Sequence, residues 1–188
     1  FQSIIERFNN VEISIFGTGI HDPKSEKEFN LDKIRKIMEV NYFGTMNSIN
    51  SVHKYYSTKK SGQISIISSV AGYRGLPAAG AYCASKSALI SFTESLHFEM
   101  GKKNVRVSLV TPGFIKTPMT DQNDFPMPMI KSAEFAAEQI YLGLIKKRSF
   151  EIHFPKAFTF IMKIIKILPN WLYFGTINFG NKFMKRDS

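Results

Sequence analysis

A chain of 188 residues with 25 Lys and Arg against 15 Asp and Glu has the length of one domain, and its 44% apolar content is ample for one core. The single cysteine, Cys83, excludes an internal disulfide and suits a reducing compartment. His21, His53, His97 and His153 are scattered, with no spacing to each other, to Cys83 or to carboxylates that resembles a metal site.

Residues 1–8 read as the end of an amphipathic helix. A strand is predicted over 11–15, followed by Phe16-Gly17-Thr18-Gly19, where a glycine lets backbone approach a ligand closely. A helix over 31–56 contains Asn41. Lys59-Lys60-Ser61-Gly62 then turns the chain with cations that suit a helix C-terminus. The β-branched run over 63–68 reads as a buried parallel strand ending at Ser69. The helix over 80–101 carries Tyr82 and Lys86 four residues apart, on one face, with small Ala81, Cys83, Ala84, Ser85 and Ala88 around them. After the turn Gly101-Lys102-Lys103-Asn104, a strand over 105–110 runs into Pro112-Gly113. Residues 119–131, with Met119, Phe125, Met127 and Met129, read as an adaptable apolar lid. A helix over 132–147 and a strand over 149–154 follow. Alternation of this kind predicts an α/β, doubly wound, Rossmann-like parallel sheet covered on both faces.

The last quarter differs in character. Residues 146–188 hold nine Lys and Arg against two acids. Lys156, Thr159, Lys163, Lys166 and Asn170 form a narrow polar stripe on an otherwise apolar helix that Pro169 stops. Trp171, Tyr173 and Phe174 add aromatics that favour interfaces. The run is too short and too charged to span a bilayer, so 156–174 reads as a membrane-surface helix, a cover for a substrate pocket or a subunit contact. Basic charge interleaved with Phe and Ile, not with Gly, Ser and Arg, argues against nucleic acid as the partner.

Ser69, Tyr82 and Lys86 are the residue types that carbonyl–alcohol redox chemistry needs. A free phenol titrates near ~10, and an adjacent ammonium is expected to lower it, so that Tyr82 exchanges a proton with a substrate oxygen that Ser69 also binds.

In this arrangement the chain resembles the short-chain dehydrogenase/reductase family from residue 1 to about residue 155. Ser69 and the Tyr82-x-x-x-Lys86 pair match the family's Ser and Tyr-x-x-x-Lys, MEVNYFGTMN resembles the segment bearing its catalytic asparagine, here Asn41, and TPGFIKTPM resembles its Pro-Gly loop. The resemblance implies NAD or NADP as cofactor, held by Gly19, Asn41, Tyr82, Lys86, Pro112, Gly113, Ile115 and Thr117. It also implies that Lys86 holds the nicotinamide ribose and that Asn41 holds a water linking Lys86 to solvent. Relatives carry Asn-Asn-Ala-Gly where this chain has Phe16-Gly17-Thr18-Gly19, and only the last glycine matches. No Gly-x-x-x-Gly-x-Gly turn precedes residue 1, so the chain is expected to be the C-terminal two-thirds of an enzyme: a partial dehydrogenase domain over 1–155 and an extension over 156–188. The expected activity is NAD(P)-dependent interconversion of a carbonyl and an alcohol on an apolar substrate, by a homodimer or homotetramer that is cytoplasmic or peripheral at a membrane. The alternative is an inactive fragment or binding protein that keeps the fold but not the dinucleotide site.

Overall fold

The structure, a computed structural model, describes residues 1–123 and 125–184; Asp124 of the expected lid and residues 185–188 of the expected extension lie outside the described residues. Four parallel strands, β1 (Ile13–Phe16), β2 (Gln63–Ile67), β3 (Arg106–Pro112) and β4 (Glu151–Phe154), stand in the order β1-β2-β3-β4. Phe16 lies beside Ile66, Ile66 beside Leu109, and Val110 beside Ile152. Parallel neighbours cannot be joined by tight turns, so each connection is helical. Helix α1 (Gln2–Phe8) precedes β1. Then α2 (Pro23–Lys27), α3 (Leu31–Met38) and α4 (Gly44–Lys59) lead to β2, α5 (Gly80–Gly101) to β3 and α6 (Ala133–Tyr141) to β4, before α7 (Lys156–Ile167) and α8 (Asn170–Met184).

Side chains alternate across a strand, and that divides the core. Ile64, Ile66 and Val107 pack against Ile49, Val52 and Tyr56 of α4 and Leu89, Leu96 and Met100 of α5. Val110, Ile152 and Phe154 pack with Leu144 and with Phe135 and Ile140 of α6, a cluster that Ile67 also joins. Both faces of the sheet are therefore covered, as the alternation predicts. Helix α7 joins the α5 side, where Met162, Phe158 and Ile165 meet Val70, Tyr73, Ile90 and Leu109.

Three predicted elements change. The helix expected over 31–56 is broken by a π turn at Glu39–Phe43, whose wider coil carries Asn41 fully inside. The helix expected over 132–147 likewise finishes in a π turn, Leu142–Lys147. Pro169 stops α7 as expected, but a further helix, α8, starts at once. Tyr173, expected among the interfacial aromatics, is buried instead: its hydroxyl donates to the Gly75 carbonyl and the Arg74 guanidinium lies 4.0 Å over its ring.

Between β2 and α5 the chain makes a tight turn, Val70–Gly72, that presses onto α5 at Lys86. A Cβ on Gly72 would stand 2.7 Å from the carbonyl carbon of Lys86 and 2.8 Å from its oxygen, both rigid backbone atoms. Gly72→Ala is therefore expected to destabilise the fold by about 1–3 kcal/mol, the range for overpacking. Urea unfolding measures it, and an unchanged midpoint would contradict this packing.

Candidate functional site

The strands of a parallel sheet end together, so the loops after them share one crevice. Gly19 follows β1, Ser69 follows β2, and Pro112-Gly113 ends β3. Tyr82 lies in the first turn of α5, Lys86 one turn on, and Asn41 enters from the π turn.

Lys86 is 4% exposed, and its Nζ donates to the Ile67 carbonyl at 3.2 Å. Its backbone carbonyl accepts from the Ser68 hydroxyl at 2.7 Å, which ties α5 to the end of β2. A Cβ at Gly19 would lie 3.3 Å from Lys86 Nζ and 3.4 Å from Asn41 Oδ1, so this glycine lets all three groups meet. The Asn41 amide is fully employed. Its Oδ1 accepts from the Ile20 N–H at 2.7 Å, and its Nδ2 donates to the Ile20 carbonyl and the Ser85 hydroxyl, each at 3.0 Å. Both amide hydrogens are thus taken, and any bond to water must use the second lone pair of Oδ1. Asn41 ties the segment after β1 to the π turn and to α5.

The expected lowering of the Tyr82 pKa is corrected by the structure. Burial pushes this phenol up to about 12, against a hydrogen bond with Ser69 that pulls it down. The Lys86 ammonium is 5.7 Å from the ring centroid, and burial lowers its own pKa to about 8. Both shifts favour the neutral forms. Ser69 is extended, and its Oγ also accepts from the Ala71 N–H at 3.1 Å. Cys83 is buried, and its thiol is pushed up to about 11, which suits packing and not nucleophilic attack.

Two residues that carry no motif stand against Tyr82. The His21 ring stacks on the Tyr82 ring, with centroids 4.5 Å apart. Glu26 accepts the Ala81 N–H at 2.6 Å and so caps the first turn of α5, which has no side-chain cap of its own. His21 Nε2 and Glu26 Oε1, 3.5 Å apart, are buried without a hydrogen-bond partner, so a proton between them would satisfy both. Burial drives His21 down and Glu26 up. Only spacing to a cap some 55 residues away, invisible in a local pattern, would have marked Glu26.

The Pro-Gly loop is held from below: Gly113 N–H donates to the Phe154 carbonyl at 2.7 Å, and a Cβ there would strike the Phe158 ring at 2.6 Å. Ile115 pairs with Lys131 in an isolated bridge, which closes the base of the predicted lid. Thr120 Oγ1 donates to the Ile115 carbonyl at 2.8 Å and accepts from Thr117 N–H at 2.9 Å. Phe125 and Met129 of the lid are exposed. The structure therefore brings together Gly19, Asn41, Ser69, Tyr82 and Lys86, and it places Pro112 at the last position of β3 and Gly113, Ile115 and Thr117 on the loop after it. Among the described residues no cluster of His, Cys, Asp and Glu could hold a metal ion.

Loss of the Glu26 cap should cost about 0.5–2 kcal/mol in Glu26→Ala, and less in Glu26→Gln, which keeps an accepting oxygen. Thermal unfolding of the two variants checks this; equal losses would show that the cap is not what Glu26 supplies.

Known proteins are similar to this chain in sequence and fold. Residues 1–126 match the short chain dehydrogenase family. An uncharacterized oxidoreductase of Myxococcus xanthus is 31% identical over 163 residues, 87% of this chain and 64% of that protein. Carbonyl reductase family member 4 of Xenopus tropicalis is 33% identical over 120 residues, 64% of this chain and 51% of that protein. The chain thus spans less than two thirds of these relatives. The crystal structure of a short chain dehydrogenase from Burkholderia cenocepacia in complex with NADP superimposes with a TM-score of 0.73 at 24% identity, over 93% of this chain and 72% of that one, and supports the fold. The chain belongs to the short chain dehydrogenase family.

Proposed function

We propose that the chain is the catalytic part of an NAD(P)-dependent oxidoreductase that interconverts a carbonyl and an alcohol. The observation that carries this reading is the convergence of Ser69, Tyr82, Lys86 and Asn41 where the strands end. The residues present fit a nicotinamide dinucleotide. Lys86 offers a buried ammonium that spends one of its three donors on Ile67, Gly19 leaves the backbone open beside it, and Ile115 and Thr117 border the same end of the sheet. Lys86 and the loop residues Pro112, Gly113, Ile115 and Thr117 would hold NAD or NADP, which supplies or accepts the hydride when bound.

In the reducing direction Tyr82 holds the proton at Oη, which burial keeps on the phenol, and delivers it to the substrate oxygen. Ser69, hydrogen-bonded to Tyr82, orients that oxygen. Lys86 supplies positive charge beside the phenol and offsets the negative charge left on it. Asn41 fixes the Ile20 segment against α5, so that Lys86 and Tyr82 keep their places. Met119, Phe125, Met127 and Met129 favour an apolar substrate. Pairing of two chains through α4 and α5 into a homodimer or homotetramer belongs to the same reading, supported by the small outward residues Ala84, Ser87, Ser91 and Ser95 and the exposed Phe98 of α5.

Tyr82→Phe in the full-length protein removes the transferable proton but keeps the ring, so turnover of ketones with NADH or NADPH should fall by ~10²–10⁴ while the fold persists. Near-normal turnover would refute the assignment. A pH dependence follows from Lys86. Its lowered pKa means the ammonium is present below about 8 and lost above it. Dinucleotide affinity in titration calorimetry should therefore weaken as pH rises through this value, and Lys86→Arg, which stays charged, should remove the break. An affinity flat across that range in the unmodified protein would count against the role of Lys86.

A further inference from the structure

Helix α7 turns the middle of its polar stripe, Thr159 and Lys163, toward the sheet, while Lys156 and Lys166 stay exposed at its edge. Thr159 is fully buried: its Oγ1 lies 2.6 Å from His153 Nδ1 and donates to the Pro155 carbonyl. Lys163 pairs with Glu151, whose other oxygen accepts from Tyr73 and Thr111. Lys166 lies over the Tyr73 ring. Arg74 donates to the carbonyls of Lys166 and Leu168 at the end of α7 and to the Asn170 side chain at the start of α8. These bonds fix the roll of the helix, because rotating it would break the Lys163–Glu151 ion pair and the contact between Thr159 and His153.

The opposite arc of α7 faces outward, and it is apolar. Phe160 (63% exposed), Ile161, Ile164 and Ile167 (78%) recur at helical spacing, and Trp171 (73%) and Phe174 at the start of α8 are exposed as well. Contiguous exposed side chains of this size mark an interaction surface. Its surroundings are cationic: Lys156 and Lys166 are exposed on α7, and Lys147 lies near Lys156, whose pKa is lowered first by burial and then by the charge of Lys147.

We propose that this face of α7 and the start of α8 dock on the surface of an anionic lipid bilayer, with the apolar row in the interface and the lysines against the headgroups. Charge complementarity selects this occupant. A second copy would bring the same positive surface against itself, whereas anionic headgroups attract each lysine and arginine near the surface. An apolar arc with bulky aromatics, flanked by lysines on a short helix, has the build of an in-plane interfacial element. Among the described residues no helix is long and apolar enough to cross a membrane, and the proposal needs none.

The test is co-sedimentation of the full-length protein with vesicles of phosphatidylcholine containing phosphatidylserine, against phosphatidylcholine alone. The wild type should bind the anionic vesicles and bind neutral ones weakly, with a blue shift of Trp171 fluorescence. Ile164→Asp and Ile167→Asp, both at exposed positions where circular dichroism should be unchanged, should each weaken binding by about tenfold or more. Lys156→Glu should weaken it by about fivefold or more on anionic vesicles only. No binding by the wild type, or equal binding by the aspartate variants, would overturn the proposal. So would aspartate variants that leave vesicle binding intact but dissociate an oligomer in light scattering, since the face would then be a contact between copies.

Discussion

The Lys86 ammonium sits almost wholly buried where β2 ends, and a cation so placed constrains every group around it. Taking a charge out of water costs several kcal/mol unless it is bonded or neutralised. Here the Ile67 carbonyl meets it, and burial lowers its pKa to about 8. The neighbours must then be small or polar. Gly19 leaves room for Nζ, Gly72 lets the turn after β2 lie against the Lys86 backbone, and Asn41 and Ser85 bond to each other beside it. The π turn follows from the same requirement, because it swings Asn41 inward to reach Ile20 and Ser85.

Tyr82 is shaped by the other half of this environment. Stacking on His21 and burial hold its ring, and Glu26 holds the turn of α5 from which it projects. Burial raises the phenol and lowers the lysine, so the phenol keeps its proton while Lys86, with its pKa near 8, stays mostly cationic at neutral pH. The phenol therefore starts protonated, as donation to a substrate oxygen requires, and the charge on Lys86 is the variable that a bound ligand would alter.

Much of this was legible in the sequence because it depends on local pattern. The strand–helix alternation, the spacing of Tyr82 and Lys86, and the Pro-Gly turn each follow from residues close in the chain, and they appear within a few residues of the predicted positions. What was not legible depends on distant partners. The break in the long helix requires the Ile20 backbone to meet Asn41, the cap on α5 comes from Glu26, and the burial of Tyr173 needs Gly75 and Arg74. The phenol pKa failed for the same reason: spacing places a lysine near a tyrosine, but only packing decides whether desolvation outweighs the charge. The polar stripe of α7 was visible, yet which side it faces was decided by Glu151 and His153 on β4.

The account rests on Lys86 being a buried cation of depressed pKa, and that is directly measurable. A titration of the lysine side-chain resonances in the full-length protein by carbon-13 NMR, with Lys86→Arg to assign the Lys86 signal, should show one lysine titrating near 8. A Lys86 signal that titrates with the other lysines, at about 10.4, would contradict it.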